Sequence, residues 1–280
     1  MPTEKEDTWS SEAYQHSASF VPKLATKILQ WLDPRKDDVI LDIGCGDGVL
    51  DVQIGQVLSQ GQGRLHGVDS SPAMIKASTA SIASANLGGK CTFGVIDATE
   101  LVSKAELQKQ EFTKVFSNAA MHWILRPEER REIFFRGVKD ALAPGGHFVF
   151  EMGGLGNVCE VRAAVLTAVG RRIGLAEAHA LEPWFFPDEE WARKMMEETV
   201  GGFEIDKIER EWRPTAADSG GVEGWVRLMV EQVFQALSGD AVEKEACIRE
   251  VIDVLEIVCA KPGGGYMFSY VRLRVAARKL

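Results

Sequence analysis

Cysteine and basic residues are both scarce in this chain. The five cysteines among 280 residues are scattered, odd in number and form no C-x-x-C pair, so we expect neither a disulfide framework nor a metal site. The 32 basic residues against 41 acidic ones give a net charge of -9, and no basic stripe is interleaved with aromatics. Because such a chain repels a phosphate backbone, we expect no nucleic-acid partner.

Long apolar runs are also missing. Residues 3–7 are charged and do not form the apolar core of a signal peptide, and no later stretch has the length and apolarity to span a bilayer. We therefore predict a cytoplasmic protein with no membrane partner. With 45% hydrophobic residues, a chain of 280 residues can bury the core of one large domain, alone or with a cap.

A glycine-rich turn follows the first predicted strand. Residues 39–43 are almost wholly apolar and predict a strand, while residues 49–58 carry apolar side chains at helical spacing. The turn between them has the spacing Gly44-x-Gly46-x-Gly48. Alternating glycines let a backbone turn sharply and approach a ligand, which the N–H groups at a helix start then face. The segment therefore indicates a nucleotide-cofactor site.

A dinucleotide-binding dehydrogenase is the first alternative for this turn, but its fingerprint has a third glycine at the position of Val49. The spacing of Gly44, Gly46 and Gly48, with Asp42 near the end of the strand, instead resembles motif I of the class I S-adenosylmethionine-dependent methyltransferases. That resemblance implies methyl transfer, with S-adenosyl-L-methionine as the cofactor and S-adenosyl-L-homocysteine as the product.

Strands and helices alternate along the rest of the chain. Further strands are predicted at residues 64–69, 91–96, 112–116, 147–151, 202–213 and 266–277. This order predicts right-handed βαβ units, and the helices between the last two strands form a cap. Together with the resemblance, it implies an α/β, Rossmann-like class I methyltransferase fold: a seven-stranded, mostly parallel sheet with helices on both faces and a helical cap.

We expect three regions along the chain. Residues 1–35 form an N-terminal segment and helix that cover the site. Residues 36–152 form the cofactor-binding core. Residues 153–280 complete the sheet with its sixth and seventh strands and contribute the helical cap and the substrate region.

Polar side chains lie at or just beyond the ends of the first four strands, where parallel sheets bind their ligands: Asp42, Asp69, Asp97 and Asn118. Asp69 is positioned to accept both ribose hydroxyls, or alternatively to cap the next helix. Asp97 and the backbone of Ala98 are positioned to bind the adenine amino group and ring edge. Asp42 is expected to accept either N–H groups of the glycine turn or the methionine amino group.

The predicted cofactor-binding residues lie in the glycine turn, at the strand ends and in the segment after Asp69. Met74 is assigned to the adenine because the resemblance puts an apolar side chain there, whereas Asn118 contacts the methionine moiety or forms a structural turn. Cys45 is a small side chain beside the cofactor and is assigned no chemistry. The full set is Asp42, Gly44, Cys45, Gly46, Asp69, Ser70, Met74, Asp97, Ala98, Asn118 and Ala119.

A narrower resemblance covers nearly the whole chain. Its motifs are Trp9-x₄-Tyr14, Val68-Asp-Ser-Ser-Pro-Ala-Met74, Ser117-Asn-Ala-Ala-Met-His-Trp123, Trp184-Phe-Phe-Pro187, Gly224-Trp225 and Arg272-Leu-Arg-Val-Ala-Ala-Arg278. Together they resemble the trans-aconitate methyltransferase family. That family methylates a carboxylate of a small polycarboxylic acid, so the resemblance implies O-methylation of a small-molecule acceptor.

The acceptor decides which chemistry the protein must supply. A carboxylate is already ionised near neutral pH and needs only cations and hydrogen-bond donors to orient it. The candidate cations, with solvated helix faces as the alternative, are Arg162, Arg171, Arg172 and Arg227. A phenol or amine would favour a base, and His122 is the only histidine next to a predicted site loop. We assign His122 as the candidate catalytic residue, with orientation of Trp123 or contact with the cofactor as the alternative.

Aromatic residues from three parts of the chain are expected to wall the acceptor site, with plain core packing as the alternative. The predicted substrate residues are Tyr14, His122, Trp123, Trp184, Phe185 and Trp225, and Phe186 belongs to the same wall. The main functional prediction is O-methylation of a carboxylate. The alternatives are O- or N-methylation of an aromatic or natural-product acceptor, and a non-catalytic cofactor-binding partner. The oligomeric state stays open.

Overall fold

Seven strands form one sheet through the centre of the protein. A computed structural model describes residues 25–237 and 239–280. The strands are β1 Val39–Ile43, β2 Arg64–Asp69, β3 Cys91–Val95, β4 Phe112–Asn118, β5 Leu142–Gly153, β6 Phe203–Ala216 and β7 Met267–Lys279. Their order across the sheet is β3-β2-β1-β4-β5-β7-β6. Strands β1 to β5 run parallel, and β7 is antiparallel to both of its neighbours, which confirms the predicted fold class.

Helices cover both faces of the sheet and build the cap. They are α1 Thr26–Leu32, α2 Val49–Leu58, α3 Pro72–Ser84, α4 Met121–Ile124, α5 Glu128–Ala141, α6 Cys159–Ile173, α7 Leu175–Ala180, α8 Glu189–Arg193, α9 Gly221–Met229, α10 Glu231–Phe234 and α11 Ala241–Val258. Two 3₁₀ helices, Ala98–Ser103 and Gln235–Leu237, and a π-helical turn at Lys194–Thr199 accompany them. Across residues 25–237 and 239–280, no helix is both long and apolar enough to cross a membrane.

Three apolar clusters join these layers. On one face of the sheet, Phe134 and Phe135 of α5 pack against Phe148 of β5. On the opposite face, Ile28 of α1 and Ile54 of α2 belong to a second cluster. The third cluster joins α6, α9 and α11 of the cap to the start of β7. Because the central parallel strands are covered on both faces, β1 is apolar at every position except Asp42.

The register of the parallel strands brings the predicted site residues to one edge. Ile43 at the end of β1 is opposite Val68 of β2, and Asn118 at the end of β4 is opposite Glu151 of β5. The glycine turn, the end of β2 and the end of β4 therefore lie side by side. Helix α3 begins here as predicted, because the Ser71 hydroxyl oxygen accepts the N–H of Met74 at 3.2 Å and Pro72 is the first helical residue.

Several boundaries differ from the sequence prediction. Strand β5 begins at Leu142 and not at residue 147, and β6 and β7 extend to Ala216 and Lys279 because these two strands pair along their full length. The predicted helix at 188–200 is α8 followed by the π-helical turn. The N-terminal region is described only from residue 25, so Tyr14 lies outside the described residues. The division into three regions stays a prediction.

Candidate active site

The glycine turn is fixed to the end of β2. Gly44 and Gly46 have φ angles of +74° and +57°, in the left-handed region that favours glycine. The N–H groups of Gly44 and Cys45 donate to the carbonyl of Val68 at 2.8 and 3.1 Å. The N–H of Gly46 donates to Asp69 Oδ2 at 3.1 Å. The turn and the Asp69 carboxylate are therefore one hydrogen-bonded unit.

Gly44 also touches the loop that follows β4. A Cβ atom at Gly44 would lie 2.2 Å from the Cβ of Ala120, whereas a Cβ at Gly46 would have no neighbour within 4 Å. In the same loop, Ala119 has φ +58°, which is rare for a residue with a side chain. The sharp backbone turns of two loops thus face each other at the end of the sheet.

A cavity of about 260 Å³ opens between these loops and the ends of β1 to β4. Nine predicted cofactor residues line it: Gly44, Gly46, Asp69, Ser70, Met74, Asp97, Ala98, Asn118 and Ala119. Of the predicted substrate residues, Trp123 lines it as well. Six further lining residues were not predicted from the sequence: Val68, Ile96, Thr99, Ala120, Ile124 and Pro127. Their only signal is proximity, since each neighbours a predicted strand end or the segment around Trp123.

Asp69 is held facing this cavity by backbone donors. Its Oδ2 accepts the N–H of Gly46 and its Oδ1 accepts the N–H of Ser71 at 2.9 Å. The hydroxyl of Ser71 caps α3. The alternative prediction, that Asp69 caps this helix, is therefore wrong. Each carboxylate oxygen keeps further acceptor capacity for a ligand.

Asp97 starts a 3₁₀ helix and also borders the cavity. Its Oδ1 accepts the N–H and the hydroxyl of Thr99, at 2.9 and 2.8 Å, and so starts the 3₁₀ helix. The residue also lines the cavity together with Ala98. The structural contacts fix one oxygen, and the carboxylate still borders the space that a ligand would occupy.

The prediction that Asp42 accepts glycine-turn N–H groups is wrong, because those groups donate to Val68 and Asp69. Asp42 does not line the cavity; it is buried beside Asp51 of α2. Burial and the charge of Asp51 raise the pKa of Asp42 well above its ordinary value. Burial likewise raises the pKa of Asp51 to about 7, so burial favours the protonated form of both carboxyls beneath the glycine turn.

Asp51→Asn is expected to become more stable relative to the wild type as pH rises. The folded protein holds the Asp51 proton up to a pKa of about 7, above the ordinary 3.8, so this group's contribution to stability is lost as pH rises through that range. An amide does not ionise, which removes up to about 4 kcal/mol of pH-dependent free energy. Urea unfolding of both proteins at pH 4 to 8 measures the free energy of unfolding against pH; parallel curves for the two proteins would contradict the prediction.

Cys45 also lies outside the cavity lining, at half-buried depth beneath the turn. A Cβ at Gly67 of β2 would come within 3.1 Å of the Cys45 Cβ, so this side chain packs on the sheet. Burial raises the pKa of its thiol, as do the nearby aspartates. That Cys45 takes no part in the chemistry stays a prediction. Its side chain supports the turn from below.

His122 is buried on α4 and does not line the cavity. The N–H of Gly153 donates to its Nδ1 at 3.3 Å, which uses the one lone pair of the neutral ring. Burial and the positive charge of Arg272 lower its pKa well below the ordinary value. This geometry contradicts the predicted general-base role, because the neutral ring has no second acceptor nitrogen.

Most of the predicted aromatic wall is cap core. Trp184 stacks on Phe186 with ring centroids 5.7 Å apart, and both are partly buried and pack against the core cluster of the cap. Phe185 packs against Trp191 at 4.8 Å. Trp225 is buried and donates from its indole N–H to the hydroxyl of Tyr270 at 2.7 Å. The alternative of plain core packing therefore describes Trp184, Phe185 and Trp225 better than direct cavity contact does.

The four candidate arginines are engaged on the cap. Arg162 pairs with Glu182, and Arg171 and Arg172 pair with Glu250. Arg227 pairs with Glu223 and Glu245, and it does not line the cavity. These guanidiniums are helix-surface ion pairs, as the alternative reading of the sequence held.

A buried charge cluster lies beside the cavity and was not predicted from the sequence. Glu151 of β5 is opposite Asn118 on one side and Arg274 of β7 on the other. Its carboxylate pairs with Arg213 at 2.9 Å, with Arg274, and with Arg272 at 3.7 Å. Because Asn118 lines the cavity, the cluster is its immediate neighbour across β4 and β5.

Arg272 is the least satisfied member of this cluster. Its side chain is 3% exposed, and its Nε makes no hydrogen bond with any described residue. Its guanidinium lies over the ring of Tyr270 at 4.7 Å, and its ion-pair partner Glu151 also serves two other arginines. A buried cation with so little compensation suits an added anion. On the sequence, alternating charges along a strand indicate an exposed face, which is why this residue was missed.

Comparison with known proteins gives relatives along the whole chain. Residues 40–146 match the model of a methyltransferase domain family. An uncharacterized methyltransferase of Schizosaccharomyces pombe is 35% identical over 278 residues, covering 98% of this chain and 99% of that protein. A trans-aconitate 2-methyltransferase of Streptomyces coelicolor is 24% identical over 277 residues, covering 97% of this chain and 87% of that enzyme.

Solved structures share the fold. A Bacillus halodurans protein described as a methyltransferase has a TM-score of 0.58 at 16% identity, covering 92% of this chain and 99% of that chain. A phosphoethanolamine N-methyltransferase of Haemonchus contortus, in complex with phosphomonomethylethanolamine and S-adenosylhomocysteine, has a TM-score of 0.54 at 18% identity. That match covers 99% of this chain and 59% of that chain.

Proposed function

Because this chain belongs to the class I S-adenosylmethionine-dependent methyltransferases, we propose that it O-methylates a carboxylate of a small acid. The assignment to this family rests on the 35% identity to the Schizosaccharomyces pombe methyltransferase over 278 residues. The acceptor class is our inference. The Streptomyces coelicolor relative, a trans-aconitate methyltransferase by name, supports an acid as acceptor.

The cavity residues fit an S-adenosylmethionine donor. Met74 and Ile96 offer apolar walls for a flat base, and Asp97 borders the same end of the cavity. Asp69 offers a fixed carboxylate for ribose hydroxyls. The buried Oδ1 of Asn118 accepts no hydrogen bond from a described residue, which suits the methionine ammonium group. The complex of the Haemonchus contortus enzyme with S-adenosylhomocysteine supports the same cofactor.

When bound, S-adenosylmethionine supplies a methyl group on a positively charged sulfur, which keeps the bonding electron pair as the methyl leaves. This chain's residues then have two tasks. The glycine turn and the strand-end carboxylates orient the donor, and Arg272 holds the acceptor carboxylate beside Asn118. An ionised carboxylate attacks without losing a proton, so the site needs no base.

Arg272 is the single observation that carries the carboxylate assignment. It is a buried guanidinium in the charge cluster whose Glu151 is opposite the cavity-lining Asn118, and its set of anionic partners is incomplete. A phenol or amine acceptor would instead call for a base, and His122 has its lone pair engaged by Gly153. The site therefore favours a negatively charged acceptor over one that must lose a proton.

A methyl-donor assay tests this proposal. The protein is incubated with S-adenosylmethionine labelled in its methyl group and with panels of small carboxylic acids, phenols and amines. We expect product from acids only, and mild alkali should release the label as methanol because the product is an ester. Label transferred to a phenol or amine would be stable to alkali. Such a product would replace the carboxylate proposal with the aromatic or natural-product alternative.

A further inference from the structure

His122 has one ring nitrogen bound to the protein and one without a protein partner. Its Nδ1 accepts the N–H of Gly153, so the proton of the neutral ring resides on Nε2. Burial and the nearby charge of Arg272 lower the pKa of this ring, which keeps it neutral. Nε2–H donates to no residue in the described ranges 25–237 and 239–280. The protein thus fixes a neutral donor and leaves it unused.

The ring of His122 neighbours a cavity-lining residue and is bonded to the strand position that is paired with Arg272. The adjacent Trp123 lines the cavity, and its ring centroid is 5.6 Å from that of His122. Phe186 of the cap lies 5.8 Å from the imidazole. Gly153, which binds Nδ1, is directly opposite Arg272 in the pairing of β5 with β7. The imidazole and the guanidinium therefore border the same small region.

We propose that His122 donates its Nε2–H to the acceptor carboxylate held by Arg272, so that this pair selects an ionised acid over its neutral amide or ester. The inference rests on the function proposed above and deepens it. His122 would hold one carboxylate oxygen, and the other oxygen stays available to receive the methyl group. Because the ring transfers no proton, acceptor binding should not depend on pH near neutrality.

Two substitutions separate the donor from its support. In His122→Asn the amide oxygen can replace Nδ1 and accept the Gly153 N–H, but nothing replaces Nε2–H. In His122→Gln the longer amide carries its NH₂ group towards the position of Nε2. We expect His122→Asn to raise the acceptor KM by about tenfold to 150-fold, as for the loss of one hydrogen bond to a charged group. His122→Gln should recover most of this, with a KM within about threefold of the wild type.

Three readouts accompany these KM values: the S-adenosylhomocysteine Kd, the Tm, and the pH profile from pH 6 to 8. Both variants should keep the Kd and the Tm, and the wild-type profile should be flat. A wild-type pKa in that range, lost in both variants together with kcat, would overturn the proposal in favour of a base. Equal KM values in all three proteins, or parallel losses of Tm and donor binding, would overturn it in favour of a structural role.

Failure of the function proposed above can be distinguished from failure of the proposal for His122. It appears in the wild type alone, as an alkali-stable product or as no transfer to any acid, before a variant is compared. The wild-type result therefore decides on the carboxylate acceptor, and the comparison of the two variants decides on His122.

Discussion

Arg272→Gln is expected to lower kcat/KM for the acid acceptor by about 30-fold or more, because a buried charge partner of the substrate is worth about 2–5 kcal/mol. The protein should still fold, since Glu151 keeps its ion pairs with Arg213 and Arg274. Binding of S-adenosylhomocysteine should be unchanged, because Arg272 does not line the donor cavity. Steady-state kinetics over a range of acceptor concentrations measures the first effect, and calorimetric titration measures the second.

Arg274→Gln is the matched control, because Arg274 is the next residue on the same face of β7 as Arg272. Arg274 is 1% exposed and joins the buried Glu151 to Glu209 and Glu211, so its loss breaks the most extensively paired position of the cluster. We expect a loss of about 3–5 kcal/mol in the free energy of unfolding. The Arg272 assignment would be contradicted if Arg272→Gln were equally destabilised, or if its acceptor KM and kcat matched those of the wild type.

Gly44→Ala is expected to abolish detectable donor binding. The new Cβ would lie 2.2 Å from the Cβ of Ala120, and φ at this position is +74°. The turn must therefore move away from the β4 loop, and both loops line the donor cavity. Saturating S-adenosylhomocysteine should raise the Tm of the wild type and leave the Tm of this variant unchanged, because a ligand stabilises only the state that binds it.

Gly46→Ala is the control for the Gly44 substitution. It introduces the same methyl group at φ +57° but meets no atom within 4 Å. Its cost is the left-handed conformation alone, about 1–2 kcal/mol, and the ligand-induced rise in Tm should persist. A normal rise in Gly44→Ala, or its equal loss in both variants, would contradict the role of the Gly44–Ala120 contact.

The donor half of the site could be predicted from the sequence because its signals are local. The spacing of Gly44 and Gly46 marks the turn, and the parallel order of the strands brings Asp69, Asp97 and Asn118 to the same edge. Such local signals did not predict that Asp42 lies beside Asp51. Asp42 is near a strand end like the others, but it is buried beside Asp51 of the next helix and does not line the cavity.

The acceptor half depends on contacts that are distant along the chain. Arg272 and Arg274 share a face because residues alternate along a strand, but their partner Glu151 comes from β5. The prediction that Trp184 and Trp225 wall the acceptor site differs from the structure for a related reason. Trp184 and Trp225 are as apolar in a cap core as in a substrate pocket, and only the packing of the cap distinguishes the two.

The most direct measurement of the central claim is a crystal structure with S-adenosylhomocysteine and the acid identified in the methyl-donor assay. We predict the nucleoside in the cavity lined by Asp69 and Asp97. We also predict an acceptor carboxylate oxygen within about 3 Å of the Arg272 guanidinium. An acid bound away from Arg272, or a donor bound outside this cavity, would contradict the account.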